Sequence, residues 1–350
     1  MWKTPAGAVR GRTGAVRLAA VAAAASMALA GCGAVENQSA GDSAGTPGCD
    51  KSSSYPTGTV ELIVPWEAGG GTDSVARFLG TQLAKELGTQ VNVVNRIGGS
   101  GVVGHSAIAS APADGSTIGM ATVEITMMHW QGLTDLDQEE LAPVAQVNAD
   151  PAAITVSADA PYEDIDDLVA AAEKNPGSLT ASGTGRGGIW DLARAGMLIE
   201  AGADPRSIRW VPSDGAAPAL QELVAGGIDV SFASLVENQT MLKAGRVKAL
   251  GVMSDERDPR FPDVPTLKEE GIDFEMSAWR GIAGPAGMPE DVVAELSCTL
   301  DAIVHGDAYT NFMKKTGFGI EWRGSTEFAQ FMQQQDTDKG KIMEASGLTP

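Results

Sequence analysis

Two glycine-rich stretches hold the residues of chemical interest. Trp66–Asp73 reads WEAGGGTD and Ser182–Gly188 reads SGTGRGG, and each follows an apolar run and opens onto a helical pattern. A helix begins with about four backbone N–H groups that lack internal partners, and its aligned peptides place roughly half a positive charge there. Glycine leaves such donors uncovered by a Cβ, so a small anion can approach them. The predicted chemistry is anion capture by backbone amides, at Ala68, Gly69, Gly70, Gly71 and Thr72 in the first stretch and at Gly183, Thr184, Gly185, Gly187 and Gly188 in the second. Thr72 adds a hydroxyl, and Asp73 is placed to cap the first helix. Arg186 adds a guanidinium able to grip a carboxylate through two parallel hydrogen bonds. A local reading competes: the glycines make tight strand-to-helix turns and Arg186 is a solvated loop residue.

Other chemistries find little apparatus. His105, His129 and His305 are scattered and form no metal-ligand spacing. No Walker lysine follows either loop, and no G-x-S-x-G elbow stands between a strand and a helix to seat a nucleophilic serine. Gly99, Gly101 and Gly104, and again Gly183, Gly185 and Gly188, satisfy G-x-G-x-x-G, which alone would suggest a dinucleotide-binding enzyme. In a chain with 43 glycines that motif is weak. The reading is therefore of a binding protein and not an enzyme, with no cofactor and no metal. The formal charge of −20 argues against nucleic acid as a partner.

Both loops need elements that aim them. VELIVPW is a short, β-branched, almost continuously apolar run, the mark of a buried strand. DSVARFLGTQLAKELG follows with helical spacing and a closing glycine. QVNVVN, GHSAIASA and STIGMAT continue as strand, helix and strand, and a similar alternation runs from Pro161 to Ser254. Such alternation predicts mainly parallel sheets flanked by helices. The prolines 259, 262 and 265 mark a return crossing, and helices starting near Pro289 and Thr326 pack back on the first lobe.

The first residues stand apart. Lys3, Arg10, Arg12 and Arg17 precede an apolar run, Leu18–Leu29, which is shorter than the roughly 20 residues of a spanning helix and reads as a secretory signal. LAGC then matches a lipobox, making Cys32 the candidate lipidated residue. From Gly33 to Ser54 the composition is that of a flexible tether. This places the body outside the cytoplasm, lipid-anchored to the membrane face. Cys49 and Cys298 remain, either as a disulfide or as two separate thiols.

The body from Tyr55 to about Leu348 resembles the extracytoplasmic solute receptors of tripartite tricarboxylate transporters. The resemblance is carried by LIVPWEAGGGTDSVAR, VVNRIGGSGVVG, APADGSTIGMAT, APVAQVNADPAAITV, LVAAAEKNPGSLTASGTG, APALQELVAGGIDVSF, LKAGRVKALGV, FPDVPTLKEEG and GPAGMPEDVV, in the family's order. It implies an α/β, two-lobed type II periplasmic-binding-protein fold with a cleft between the lobes. The implied layout is a signal peptide at 1–31, a tether at 32–56, one lobe at 57–157 and 254–350, and a second at 158–253. It further implies a monomer that binds a small carboxylate and delivers it to membrane permease subunits; a ligand-sensing co-receptor for a signalling system is the alternative. The second glycine loop falls where the family's second-lobe binding loop lies. Trp66 and Trp279 fall where the family commonly has an aromatic beside the cleft, and Ser234 is taken as a further contact. Arg280 and Glu124 are secondary candidates. Gly188, Ile189, Trp190 and Asp191 replace the family's usual hydroxyl residues and histidine, and Ala233 stands where an aspartate is common. Ligand identity is therefore not carried over.

Overall fold

The computed structural model describes residues 55–350. The expected signal segment, Cys32, Cys49 and almost all of the expected tether lie outside the described residues.

Val60–Val64 (β1) has four of its five residues buried, as a β-branched run covered on both faces must. It feeds Gly71–Leu87 (α1), whose Val75, Ala76, Leu79 and Leu83 share a face and are fully buried. Left-handed Gly88 ends that helix. Val91–Asn95 (β2), Val102–Ala109 (α2) and Thr117–Thr122 (β3) follow, with β2 and β3 both parallel to β1. The first G-x-G-x-x-G belongs to this turn. Gly99 and Gly101 take positive φ (58° and 95°), while Gly104 lets α2 close on the backbone. A Cβ there would stand 2.4 Å from Pro65 Cα and 2.7 Å from the Arg96 carbonyl oxygen.

The chain then changes sheets. Leu141–Pro151 (β4) lies in the first sheet, and only Ala152 separates it from Ala153–Ser157 (β5), which pairs antiparallel in the second. One extended segment thus passes directly between sheets, and the change of sheet falls at Ala152, ahead of the lobe boundary expected after residue 157. Ile165–Lys174 (α3), Leu179–Ser182 (β6), Ile189–Glu200 (α4), Ile208–Trp210 (β7), Ala216–Ala225 (α5), Val230–Ser231 (β8), Leu235–Lys243 (α6) and Val247–Val252 (β9) complete the second sheet, ordered β7-β6-β8-β5-β9. Ser277–Pro285 (β10) returns to the first sheet, antiparallel between β3 and β4. Glu290–Val304 (α7), Asp307–Thr316 (α8), Arg323–Gly324 (β11) and Ser325–Ser346 (α9) finish the chain, giving the order β11-β4-β10-β3-β1-β2.

The fold is α/β, with two mixed sheets flanked by helices. The strand-helix rhythm accounts for the parallel pairs, whereas the strands at and beside the crossings run antiparallel. The two crossings lie side by side: Ala152 N–H donates to Met276 O and Met253 N–H donates to Ala152 O, each at 2.8 Å. Helix α9 packs on β4, as expected of the C-terminal helices, and also touches α4 of the second sheet. Cys298 is disulfide-bonded. None of the described helices is long and apolar enough to cross a membrane.

Replacing Gly104 with Ala is expected to destabilise the fold by about 1–3 kcal/mol through overpacking against backbone that cannot yield cheaply. Urea denaturation of the variant measures this, and an unchanged midpoint would refute the close-approach account.

Candidate functional site

The two glycine stretches fold into the same turn. Gly69 and Gly187 are left-handed (φ 86° and 72°), and Gly70 and Gly188 are the extended N-cap residues of α1 and α4. Four residues beyond each left-handed glycine an aspartate reaches back to it. Asp73 Oδ2 accepts from Gly69 N–H at 2.8 Å, and Asp191 Oδ2 accepts from Gly187 N–H at 2.9 Å. An arginine one turn on holds each carboxylate by two bonds: Arg77 to Asp73 at 2.9 and 2.8 Å, and Arg194 to Asp191 at 3.0 and 2.7 Å. Both aspartates are buried. Burial alone would raise the Asp73 carboxyl, but hydrogen bonds from Arg77, Gly69 and Asn95 outweigh it and hold the group below its usual range. Asp73 caps the turn by closing on the residue before the N-cap.

The glycines divide by physical role. Gly69 needs its positive φ, and Gly71 needs clearance, because a Cβ there would stand 2.9 Å from the Phe318 ring and 3.2 Å from Arg280 Nη2. Gly70 has neither requirement. In the second loop Gly183 clears Trp190, and Gly188 clears Thr184 Oγ1 at 2.6 Å. Gly185 has a negative φ and nothing within 4 Å of an added Cβ. The fold gives no reason for a glycine at 185; it borders a cavity.

That cavity, about 450 Å³, opens between the two sheets. It brings together Trp66, Thr72, Thr184, Gly185, Arg186, Gly188 and Trp279 from the sequence candidates, with Arg280 and Glu124 of the secondary ones. Ala68, Gly69, Gly70, Gly71, Asp73, Gly183, Gly187 and Ser234 are not among its lining residues. Ser234 instead caps α6, its Oγ accepting from Glu237 N–H and donating to Glu237 Oε2 at 2.8 Å. Sequence reasoning missed Ser100, Thr122, Gln131, Ser213, Asp214, Gly215 and Glu237 in the lining. One signal was available. Gly215 stands before α5 as Gly70 and Gly188 stand before α1 and α4, and all three helices lack a side-chain cap. Three helix mouths therefore contribute residues to one cavity, and their N-terminal amides and dipoles make it receptive to an anion. Ser100 lines it with a left-handed backbone (φ 56°), a conformation that costs a non-glycine residue on the order of 1 kcal/mol.

A hydrogen-bond chain fixes one wall. His105 Nδ1–H donates to Gly101 O at 2.8 Å, and His105 Nε2 accepts from Thr122 N–H at 3.1 Å. Trp66 Nε1–H donates to Thr122 Oγ1 at 3.2 Å, and Thr122 Oγ1–H donates to Glu124 Oε2 at 2.6 Å. His105 is fully enclosed with both nitrogens used, so it orients the strand end and is no general base. Beside it Arg280 donates from Nε to Thr72 Oγ1 at 2.9 Å and from Nη1 to Asp150 Oδ2 at 2.7 Å, with a further bond to Asn148 Oδ1. Its guanidinium lies over the Phe318 ring. Trp279 packs edge-on against Phe328 and Phe331 while lining the cavity, so it serves core and site together. Gln131 Nε2 donates to Gly187 O at 3.0 Å and ties the two sides of the cavity. Among the described residues no group of three or more His, Cys, Asp or Glu is placed to hold a metal ion.

The tripartite tricarboxylate transporter family receptor profile matches residues 75–348, and this chain belongs to that family. It is 32% identical over 267 residues to the UPF0065 protein in the tcbD-tcbE intergenic region of a Pseudomonas species, covering 75% of this chain and 79% of the relative. Among solved structures, a TctC solute binding protein from Polaromonas superposes with a TM-score of 0.74 at 32% identity, covering 83% of this chain and 99% of that one. MatC from Rhodopseudomonas palustris with bound malate gives 0.69 at 27% identity, over 82% and 99%. An R. palustris protein with adipate gives 0.73 at 26% identity, over 85% and 99%. The family is one of solute-binding receptors, and the fold is that of the periplasmic binding proteins.

Burial pushes His105 down from 6.5 to about 4. Below 6.5 the unfolded chain takes up a proton that the folded chain refuses, so this residue withdraws stability as pH falls from 6.5 to about 4, on the order of 3 kcal/mol in all. A His105→Gln variant is expected to lose less stability than the parent across that window in denaturant titrations at each pH. Parallel losses would contradict the assignment.

Proposed function

We propose that this chain is an extracytoplasmic receptor, lipid-anchored through Cys32, that captures a small carboxylate between its two sheets and presents it to the permease subunits of a tripartite tricarboxylate-type transporter. The observation that carries this reading is the meeting of three uncapped helix mouths, those of α1, α4 and α5, at one cavity bordered by the bare Gly185. Backbone amides from both sheets would then bind the carboxylate oxygens, with Thr72 Oγ1 and the rim residue Arg186 adding side-chain donors. Relatives with bound malate and with adipate support a carboxylate as the ligand class. The LAGC run supports the anchor. Release and presentation need two states with different ligand contacts. The paired crossings at Ala152 and Met253–Met276 give one narrow place where a rotation of the second sheet would be absorbed.

Thermal denaturation against a panel of mono- and dicarboxylates tests the binding. At a hundredfold excess over Kd a ligand adds about 2.7 kcal/mol of stability, and a panel that moves no transition would contradict the reading. Gly185→Val is expected to weaken binding at least tenfold while leaving unliganded stability within about 0.5 kcal/mol, because the site has room for the side chain but the ligand needs that room. Equal losses of binding and stability would instead assign Gly185 to the turn.

A further inference from the structure

The side chains around the cavity are not those of a simple anion trap. Glu124, Asp214 and Glu237 line it against two guanidiniums, Arg186 and Arg280. Arg280 is largely committed, since Asp150 and Asn148 take Nη1, Thr72 takes Nε and Asp150 matches its charge. Arg186 is exposed at the rim. A ligand bearing only carboxylates would therefore meet more unmatched negative charge than positive, and like charges at close range are costly.

The two glutamates are built into place from opposite sides. Glu124 follows β3 and is held through Oε2 by Thr122, itself fixed by His105 and Trp66. Glu237 lies in the first turn of α6 and is held through Oε2 by Ser234 Oγ–H at 2.8 Å and Ser234 N–H at 3.1 Å. Its side chain is exposed where it lines the cavity. Desolvation within the cleft raises both carboxyls above the ordinary range, partly offset by their serine or threonine bonds; Arg280 lowers both, Asp150 raises Glu237 and Lys339 lowers Glu124. Lys339 is a weak counter-ion, because burial pushes its ammonium down to about 7. The indole Nε1 of Trp279 is buried without a hydrogen-bond partner, on a ring that lines the same cavity.

We infer that the ligand carries a cationic nitrogen as well as a carboxylate, an amino acid or other amino-bearing acid, with its ammonium between Glu124 and Glu237 and its carboxylate at the helix mouths. The inference rests on the carboxylate reading above and narrows it. An ammonium set between two carboxylates supplies the cation that each lacks, and a charged hydrogen bond of this kind is worth roughly tenfold or more in affinity.

Calorimetric titration of the full chain with matched pairs tests it: L-glutamate with glutarate, L-aspartate with succinate, and 4-aminobutanoate with butanoate. At least one amino-bearing acid is expected to bind tenfold or more tightly than its partner. Glu124→Gln and, separately, Glu237→Gln are expected to reduce that preference at least tenfold while leaving or improving the affinity for the plain acid. Two variants guard against one that fails to fold, as judged by its melting transition. Plain acids binding as tightly as their amino partners, or a preference unmoved by either folded variant, would overturn the inference while leaving the carboxylate reading intact. Binding of no member of either series would remove both.

Discussion

The site depends on an arginine-held aspartate turned back onto the amide of a left-handed glycine, made twice. Asp73 on Gly69 and Asp191 on Gly187 are buried carboxylates, each gripped by an arginine of the following turn. A hydrogen bond to a charged group contributes about 1.5–3 kcal/mol, and leaving such a carboxylate unpaired would cost more. These bonds use the amide just outside each helix and not those of its first turn. The turn becomes rigid while the helix mouth stays unblocked. A ligand entering such a site orders little on arrival, which is where affinity is ordinarily lost.

Convergence comes from topology. Helix α1 leaves the end of β1 in the first sheet, and α4 and α5 leave the ends of β6 and β7 in the second. Two sheets joined by adjacent crossings bring those ends to a common cleft, the place where open α/β sheets bind ligands. The remaining wall comes from the antiparallel additions. β10 carries Trp279 and Arg280 between β3 and β4, so the indole is pinned by α9 and the guanidinium is held by Asp150 on β4. Gly281 permits this packing, since a Cβ there would stand 2.4 Å from the Phe328 ring.

Much of the winding was legible in the chain because it rests on local pattern: β-branched runs for β1 and β3, helical spacing for α1 and α4, and glycine at helix ends. What escaped depends on contacts distant in sequence. The β10 segment does not read as a strand, because Gly281 and Gly284 break its apolar alternation, and those glycines answer to Phe328 and Met288 across the fold. β5 pairs in the second sheet although the expected boundary follows it, because nothing local distinguishes a strand that ends one sheet from a strand that begins another. In the site, glycine marked the right loops but not the right atoms. Gly69 and Gly71 serve turn and packing, whereas Gly185, which has no such duty, reaches the cavity together with Gly188, Thr184 and Arg186. Glu237 and Thr122 gave no sign alone, because their role comes from Ser234, His105 and Trp66.

The central claim is that helix mouths from both sheets hold the ligand's anionic group. A crystal structure of the chain with a bound acid measures this directly. The account predicts carboxylate oxygens within hydrogen-bonding distance, about 2.7–3.2 Å, of backbone nitrogens in the first turn of α1 and of at least one of α4 and α5. A ligand held in the cleft by side chains alone, with its carboxylate remote from all three mouths, would contradict it.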